Sequence, residues 1–362
     1  MTMLENKLFR SACWVVVLLL IVYLGSLVSF IFEPIAILVQ TLFAPLVIAL
    51  IIYYVLRPFV NVLAKQMPRG LSILIVFLAL IGLVTVAVLY IGPILQTQVM
   101  EFVNNAPRYG RQIQAFVMDI QSHSAVQQLM TNADFSLDDI TGQFTSNLGD
   151  YTNQIFSSIV SALSAVANIV VIAVIIPFVL FYMLKEGNKA PQMFLRQFPI
   201  RQQEEGERVL ADMDTALSSY IQGQILVSAC VGSLCLILYL AIGLEYALIL
   251  AIVALFTNVI PFLGPWIGTA PAVVVALFDS PFMALAVIAG VVVIQQFESS
   301  VISPQIMGRQ LSVHPLTIIL LLLVASQLAG FVGLLLAVPT YAVGKVIVSH
   351  TYRLIRIRMR EG

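Results

Sequence analysis

The sequence predicts an all-α integral membrane protein of about six full transmembrane helices plus two interrupted stretches that fold as re-entrant helical hairpins. Three observations predict it. Of the 362 residues, 60% are hydrophobic and only 10% charged, and the mean hydropathy is +1.01; soluble domains carry about 25% charged residues. Apolar runs at 11–32, 35–56, 71–91, 155–184, 220–242 and 281–297 approach or exceed the roughly 20 residues that cross about 30 Å of hydrocarbon. Two more apolar stretches, 244–278 and 315–350, are cut at mid-length by Gly, Pro and polar residues.

Lys7 and Arg10 precede the first run, which is longer than a secretory h-region and lacks a small-residue cleavage site, so it reads as a retained span. Pro45 and Pro177 fall inside the second and fourth runs, where they should kink the helices and free carbonyls. The polar region 96–154 carries Glu101, Asp119, Asp134, Asp138, Asp139 and Asp150 against Arg108 and Arg111. Ile113, Phe116, Val117 and Ile120 recur there at helical spacing, and Ser136 with Asp139 looks like a helix start. This region is expected to be a small extracytoplasmic helical cap. Residues 185–212, with Pro191 and Pro199, read as a connector holding an interfacial helix and a hinge. The chain thus divides into N-terminal spans (1–95), the cap (96–154), a fourth span with its connector (155–212), a transport core (213–350) and a basic tail (351–362).

Eighteen basic residues balance eighteen acidic ones, which argues against nucleic acid as a partner. Cys13, Cys230 and Cys235 all lie in apolar runs without C-x-x-C spacing, as expected of packing residues rather than a metal or disulfide set. No H-E-x-x-H, G-x-S-x-G or Walker A pattern occurs, so neither an enzyme nor an ATP-driven pump is expected, and no cofactor. The basic residues gather at the N-terminus, at Arg57, Lys65 and Arg69, in the connector, and at Lys345, Arg353, Arg356, Arg358 and Arg360. The positive-inside rule makes these regions and both termini cytoplasmic, and the acidic region external.

That charge bias also bears on the broken stretches. As hairpins they leave Glu33, Glu245 and Asp279 outside and Arg309 inside; eight crossings would put Asp279 inside and Arg309 outside. The hairpin account follows the bias better. It makes 220–350 an inverted repeat of span, hairpin, span and hairpin, whose tips would meet near mid-membrane. Paired interruptions at matching places in two halves point to the binding site of a membrane carrier.

Particular residues then stand out. Asn258 precedes the first tip, Pro261-Phe262-Leu263-Gly264-Pro265; its amide both donates and accepts, which suits a hydroxyl-rich solute, though it equally suits a helix cap. Gly264 and Gly268 allow close backbone approach, and the prolines free carbonyls. At the matching place in the second stretch lie Ser326, Gln327, Gly330 and Gly333. Gln327, expected to be buried, needs a hydrogen-bond partner from a neighbouring hairpin or a ligand. Gln295 and Glu298 end the sixth run, and a membrane-embedded carboxylate suggests proton carriage or cation coordination. Asp212 and Asp214 are candidate cation ligands or helix N-terminal acids. Tyr220, Gln222 and Gln224 would face the hairpins if the repeats pack together.

Ser303-Pro304-Gln305-Ile306-Met307-Gly308, then His314-Pro315-Leu316-Thr317 and Ala337-Val338-Pro339, resemble the AI-2E family of bacterial transporters. Pro177-Phe178, Phe181-Tyr182-Met183-Leu184-Lys185-Glu186-Gly187, Tyr220-Ile221-Gln222-Gly223-Gln224 and Asn258-Val259-Ile260-Pro261 agree with it. Glu186 stands where the family often has Asp, with the charge kept. The resemblance covers nearly the whole chain and is strongest from Pro177 to Lys345. It implies a multi-helix protein of the bacterial cell membrane, grouped with exporters of the signal autoinducer-2. It also implies a homo-oligomer, with five copies the expected number. Pro304, Gly308 and His314 enter as second-tier residues through this motif; His314 suits a cap, or a proton relay. Some relatives are assigned sodium or lithium/proton antiport, so the two expectations are export of a small polar solute and, as the alternative, cation/proton exchange.

Overall fold

The computed structural model describes residues 16–17, 20, 29–122, 169–187, 189–307 and 314–361. Among these, every regular element is helical: α1 (Ser29–Leu63), α2 (Arg69–Ser122), α3 (Ile169–Glu186), α4 (Ala190–Leu195), α5 (Ile200–Ala241), α6 (Ala247–Thr257), α7 (Leu263–Asp279), α8 (Pro281–Phe297), a π-helical turn (Glu298–Ile302), α9 (Ser303–Met307) and α10 (Pro315–Glu361). Five of the described helices are long and apolar enough to cross a membrane. Membrane helices dominate because hydrocarbon offers backbone groups no partner outside their own segment.

The expected runs 35–56, 71–91, 220–242 and 281–297 fall within α1, α2, α5 and α8. Run 155–184 is described only as α3, run 11–32 lies mostly outside the described residues, its last four joining α1, and the Ser136–Asp139 helix start lies outside them. α2 continues without a break to Ser122, so the third run and residues 96–122 form one helix. Its 54 residues make a rod about 80 Å long at about 1.5 Å per residue. α5 likewise begins at Ile200, which shortens the connector and places Asp212 and Asp214 inside a helix rather than at its start. α1 and α3 run through Pro45 and Pro177.

The C-terminal half follows from local chemistry. α5 ends in a Schellman turn: Gly243 takes a φ of 73°, Leu244 N–H bonds the Tyr239 carbonyl at 2.9 Å and Gly243 N–H that of Leu240 at 3.2 Å. α8 starts on Ser280, whose hydroxyl accepts from Met283 N–H at 3.1 Å, with Pro281 in the first helical position. α10 starts on His314, whose Nδ1 accepts from Leu316 N–H at 3.3 Å, so this histidine caps a helix.

α6 and α7 fold back on each other. A Cβ on Gly268 would lie 2.8 Å from Ala254 Cα, and one on Gly264 would strike the Thr257 carbonyl. α10 is also two arms, because Ala329 and Gly330 leave helical geometry, Gly330 at φ 55° and ψ −135°. A Cβ on Gly333 would strike the Ala325 carbonyl; residues eight apart in a straight helix are about 12 Å apart, so the arms double back. Leu322 and Ala325 on one arm pack with Leu334, Leu335 and Ala337 on the other.

The open ends of the two hairpins lie at opposite ends of α5. The first springs from the turn after Tyr239. The second returns along α5 so that Val338 packs with Tyr220, and His350 Nε2 lies 2.8 Å from Asp212 Oδ2. The main core joins α5, both arms of the first hairpin and α8. A second core joins α1, α2, α3 and the start of α5's apolar face. There Arg57 Nη1 reaches Asp214 Oδ2 at 2.6 Å, and Tyr54 Oη reaches Asp214 Oδ1 at 3.1 Å. Both aspartates therefore anchor neighbouring helices.

Candidate functional site at the tip of the first hairpin

The tip is built on strained backbone. Phe262 has φ 63° and ψ −42°, and Leu263 N–H bonds the Pro261 carbonyl at 2.7 Å. That is a γ-turn of the rare hand, centred on a residue with a side chain. Such conformations cost of order 1–3 kcal/mol and cluster where a backbone is held for a purpose. Gly264 and Gly268 seat the returning arm directly on α6, so their contribution is close packing. Pro261 and Pro265 flank the turn, and the Pro265 carbonyl accepts from Thr269 Oγ1 at 2.6 Å.

Asn258 occupies the C-terminal cap of α6 and is 2% exposed. Its backbone carbonyl, an orphan of the helix end, accepts from Gln224 Nε2 of α5 at 2.7 Å. Its amide lies beside the Glu298 carboxylate, as does that of Gln295. Yet Asn258 Nδ2 and Glu298 Oε2 are both sealed from solvent with no partner in hydrogen-bonding geometry. Glu298 opens the π-helical turn that ends α8; such turns re-aim side chains and recur at functional sites. A buried donor and a buried acceptor thus stand side by side where two helices break, close enough to act on each other but not aligned for a full hydrogen bond.

The structure brings Asn258, Gln224, Gln295 and Glu298 together and places the other expected residues around them. Tyr220 is buried one turn of α5 before Gln224. Pro304 is exposed on α9, and Gly308 lies outside the described residues. Ile260, beside the first tip, packs on Leu322 and Ala337 in the flank of the second hairpin. Ser326 bonds its own arm at the Leu323 carbonyl, 2.8 Å, and Gln327 is exposed rather than buried, so the expected need for an internal partner falls away. Gly330 supplies the positive φ of the break itself. Ser228, one turn beyond Gln224 and 1% exposed with its hydroxyl unpartnered, escaped the sequence reading; its signal is the four-residue spacing from Gln224.

Among the described residues no group of three metal-ligating side chains gathers. Residues 13–353 match the family described as AI-2E family transporter. The chain is 42% identical over 360 residues to YueF of Bacillus subtilis, named provisionally as a transport protein, covering 99% of this chain and 97% of that one. It is 33% identical to YrrI of the same organism, likewise named provisionally, over 96% and 98%. It is 25% identical to the AI-2 transport protein TqsA of Escherichia coli, over 85% of each chain.

Proposed function

This chain belongs to the AI-2E transporter family, and from that premise we propose that it is a secondary transporter exporting a small, hydroxyl-rich solute of the autoinducer-2 kind. The multi-pass helical architecture and the family support membrane transport; the solute class is our reading. One observation carries it: the Asn258 amide and the Glu298 carboxylate face each other in a buried place without an aligned hydrogen bond between them. A hydroxyl donates and accepts at once, so one solute hydroxyl accepts from the amide and donates to the carboxylate. A bare cation gains nothing from an amide N–H. The name of the Escherichia coli relative favours the same solute class.

In this reading the hairpins are re-entrant, one entering from each face, and alternate exposure of the Asn258 tip moves the solute. The Lys and Arg residues of the connector and tail support a cytoplasmic base for the second hairpin and cytoplasmic termini. Everted vesicles carrying the wild-type chain should accumulate labelled autoinducer-2. Asn258→Ala should lower that rate at least tenfold, on the order of 1.4 kcal/mol. Proton flux driven by sodium, without solute accumulation, would overturn the reading in favour of cation exchange at Glu298.

A further inference from the structure

The tip site leaves the rest of the α5 face unexplained. Among the described residues, the buried side-chain N and O atoms without an aligned hydrogen bond are Arg69 Nη2, Ser228 Oγ, Tyr239 Oη, Asn258 Nδ2 and Glu298 Oε2, with Tyr239 Oη beside the Cys235 thiol and Asn258 Nδ2 beside the Glu298 carboxylate. All but the first lie on α5 or on the elements packed against it. Tyr220, Gln224, Ser228, Cys235 and Tyr239 recur at spacings of four and seven, which keeps them on one stripe of the helix. Each is buried. From Tyr220 to Tyr239 the stripe is about 28 Å long at 1.5 Å per residue, close to the roughly 30 Å of a bilayer's hydrocarbon.

The stripe is continuous with the tip site. Gln224 holds the Asn258 carbonyl, and the Glu298 carboxylate is near enough to act electrostatically on the Cys235 thiol. At the Tyr220 end opens a cavity of about 350 Å³, lined by Asp212, Ser219, Tyr220, Lys345, Ser349 and His350 among others. A face that served only packing would have no reason to keep the Ser228 hydroxyl unpaired, or that of Tyr239 with only a thiol beside it, since a buried hydroxyl poorly matched costs stability.

We propose that this stripe of α5 is one wall of the translocation path, entered from the cavity at Tyr220 and covered by the α6–α7 hairpin. The hydroxyls of a polar solute, and the water that accompanies it, supply the missing partners when the hairpin lifts. The Gln224–Asn258 bond is then the latch that closes hairpin on wall. This rests on the transport reading above and extends it from one point to a route.

The native Cys235 is a probe already on the wall. In everted vesicles the full-length chain carrying Cys13→Ala and Cys230→Ala leaves Cys235 as the sole thiol. A water-soluble cationic methanethiosulfonate should modify it at least tenfold faster than Ile237→Cys in a cysteine-free chain, because Ile237 faces outward on the same helix. Ser228→Ala deletes an unpaired hydroxyl and Tyr239→Phe one that meets only the weakly bonding Cys235 thiol, so a purely structural role predicts unchanged transport and a Tm that is equal or higher. The path predicts that same Tm with transport of autoinducer-2 cut about tenfold. Equal labelling of Cys235 and Ile237→Cys, or wild-type transport in both hydroxyl variants, would overturn the proposal; if Asn258→Ala still abolishes transport, the tip site survives it. Vesicles that accumulate no autoinducer-2 while Cys235 reacts fast would reject the solute and keep the path.

Discussion

Asn258 shows how one side chain serves two masters. Its backbone carbonyl closes the packing of α6 on α5 through Gln224, while its amide nitrogen stands beside the Glu298 carboxylate without an aligned hydrogen bond. The first role is structural and the second is available to a ligand, so substitutions should separate them. Asn258→Ala keeps the carbonyl, and with it the Gln224 bond, while removing the amide. Phe262 is the complementary case, a side chain on backbone that favours glycine. Phe262→Gly removes the steric cost of the positive φ but adds unfolded-chain entropy of about 0.5–1 kcal/mol. The net effect should be a stabilisation of about 1 kcal/mol, read as a higher Tm in detergent. A fall in Tm would show that the Phe262 ring contributes more by packing than its backbone costs.

At the scale of elements, the two hairpins depend on the absence of a Cβ at a few contact points. Gly268→Ala would bring a methyl to 2.8 Å from Ala254 Cα and 2.5 Å from Thr257 Oγ1. Backbone cannot give way as a flexible side chain does, so a loss of about 1–3 kcal/mol is expected, the usual range for overpacking. Gly82 supplies the contrast, since a Cβ there meets nothing within 4 Å. Gly82→Ala, in the interior of α2, should be neutral or stabilising by about 0.5–1 kcal/mol. Thermal melts of the two variants in one detergent would test both signs. Similar Tm values would mean that the arms of the first hairpin part easily, which their shared burial of Ala254 and Ala272 argues against.

For the whole molecule, the decisive arrangement is that the hairpins open at opposite ends of α5 and overlap along it. Ile260 of the first rests on Leu322 and Ala337 of the second, so movement of either tip is felt by the other through packed side chains. The re-entrant reading makes a prediction about sidedness. With the native cysteines removed, Asp279→Cys should label only from outside the cell, and Tyr352→Cys, 64% exposed, only from the cytoplasm. Labelling of both from the same face would require one stretch to cross fully, and the inverted arrangement would be lost.

Helicity, membrane residence and the position of both chain breaks were legible in the residues, because each is a local matter. Apolar runs of sufficient length must become helices in hydrocarbon, and Gly and Pro interrupt a helix wherever they are placed together. Asn258, Gln224 and Glu298 were also visible, as polar groups where lipid penalises them. What no local pattern contains is the partner of each group. Asp212 and Asp214 looked like free acids until α10 and α1 brought His350 and Arg57 to them. Gln327 looked buried until the second hairpin turned it outward. Ser228 and Tyr239 passed as ordinary members of an apolar run until the α6–α7 hairpin covered them without offering a hydrogen bond. Local residue chemistry sets which segments are helical and where they break; which broken ends meet follows from the packed helices, because burial and pairing depend on neighbours far away along the chain.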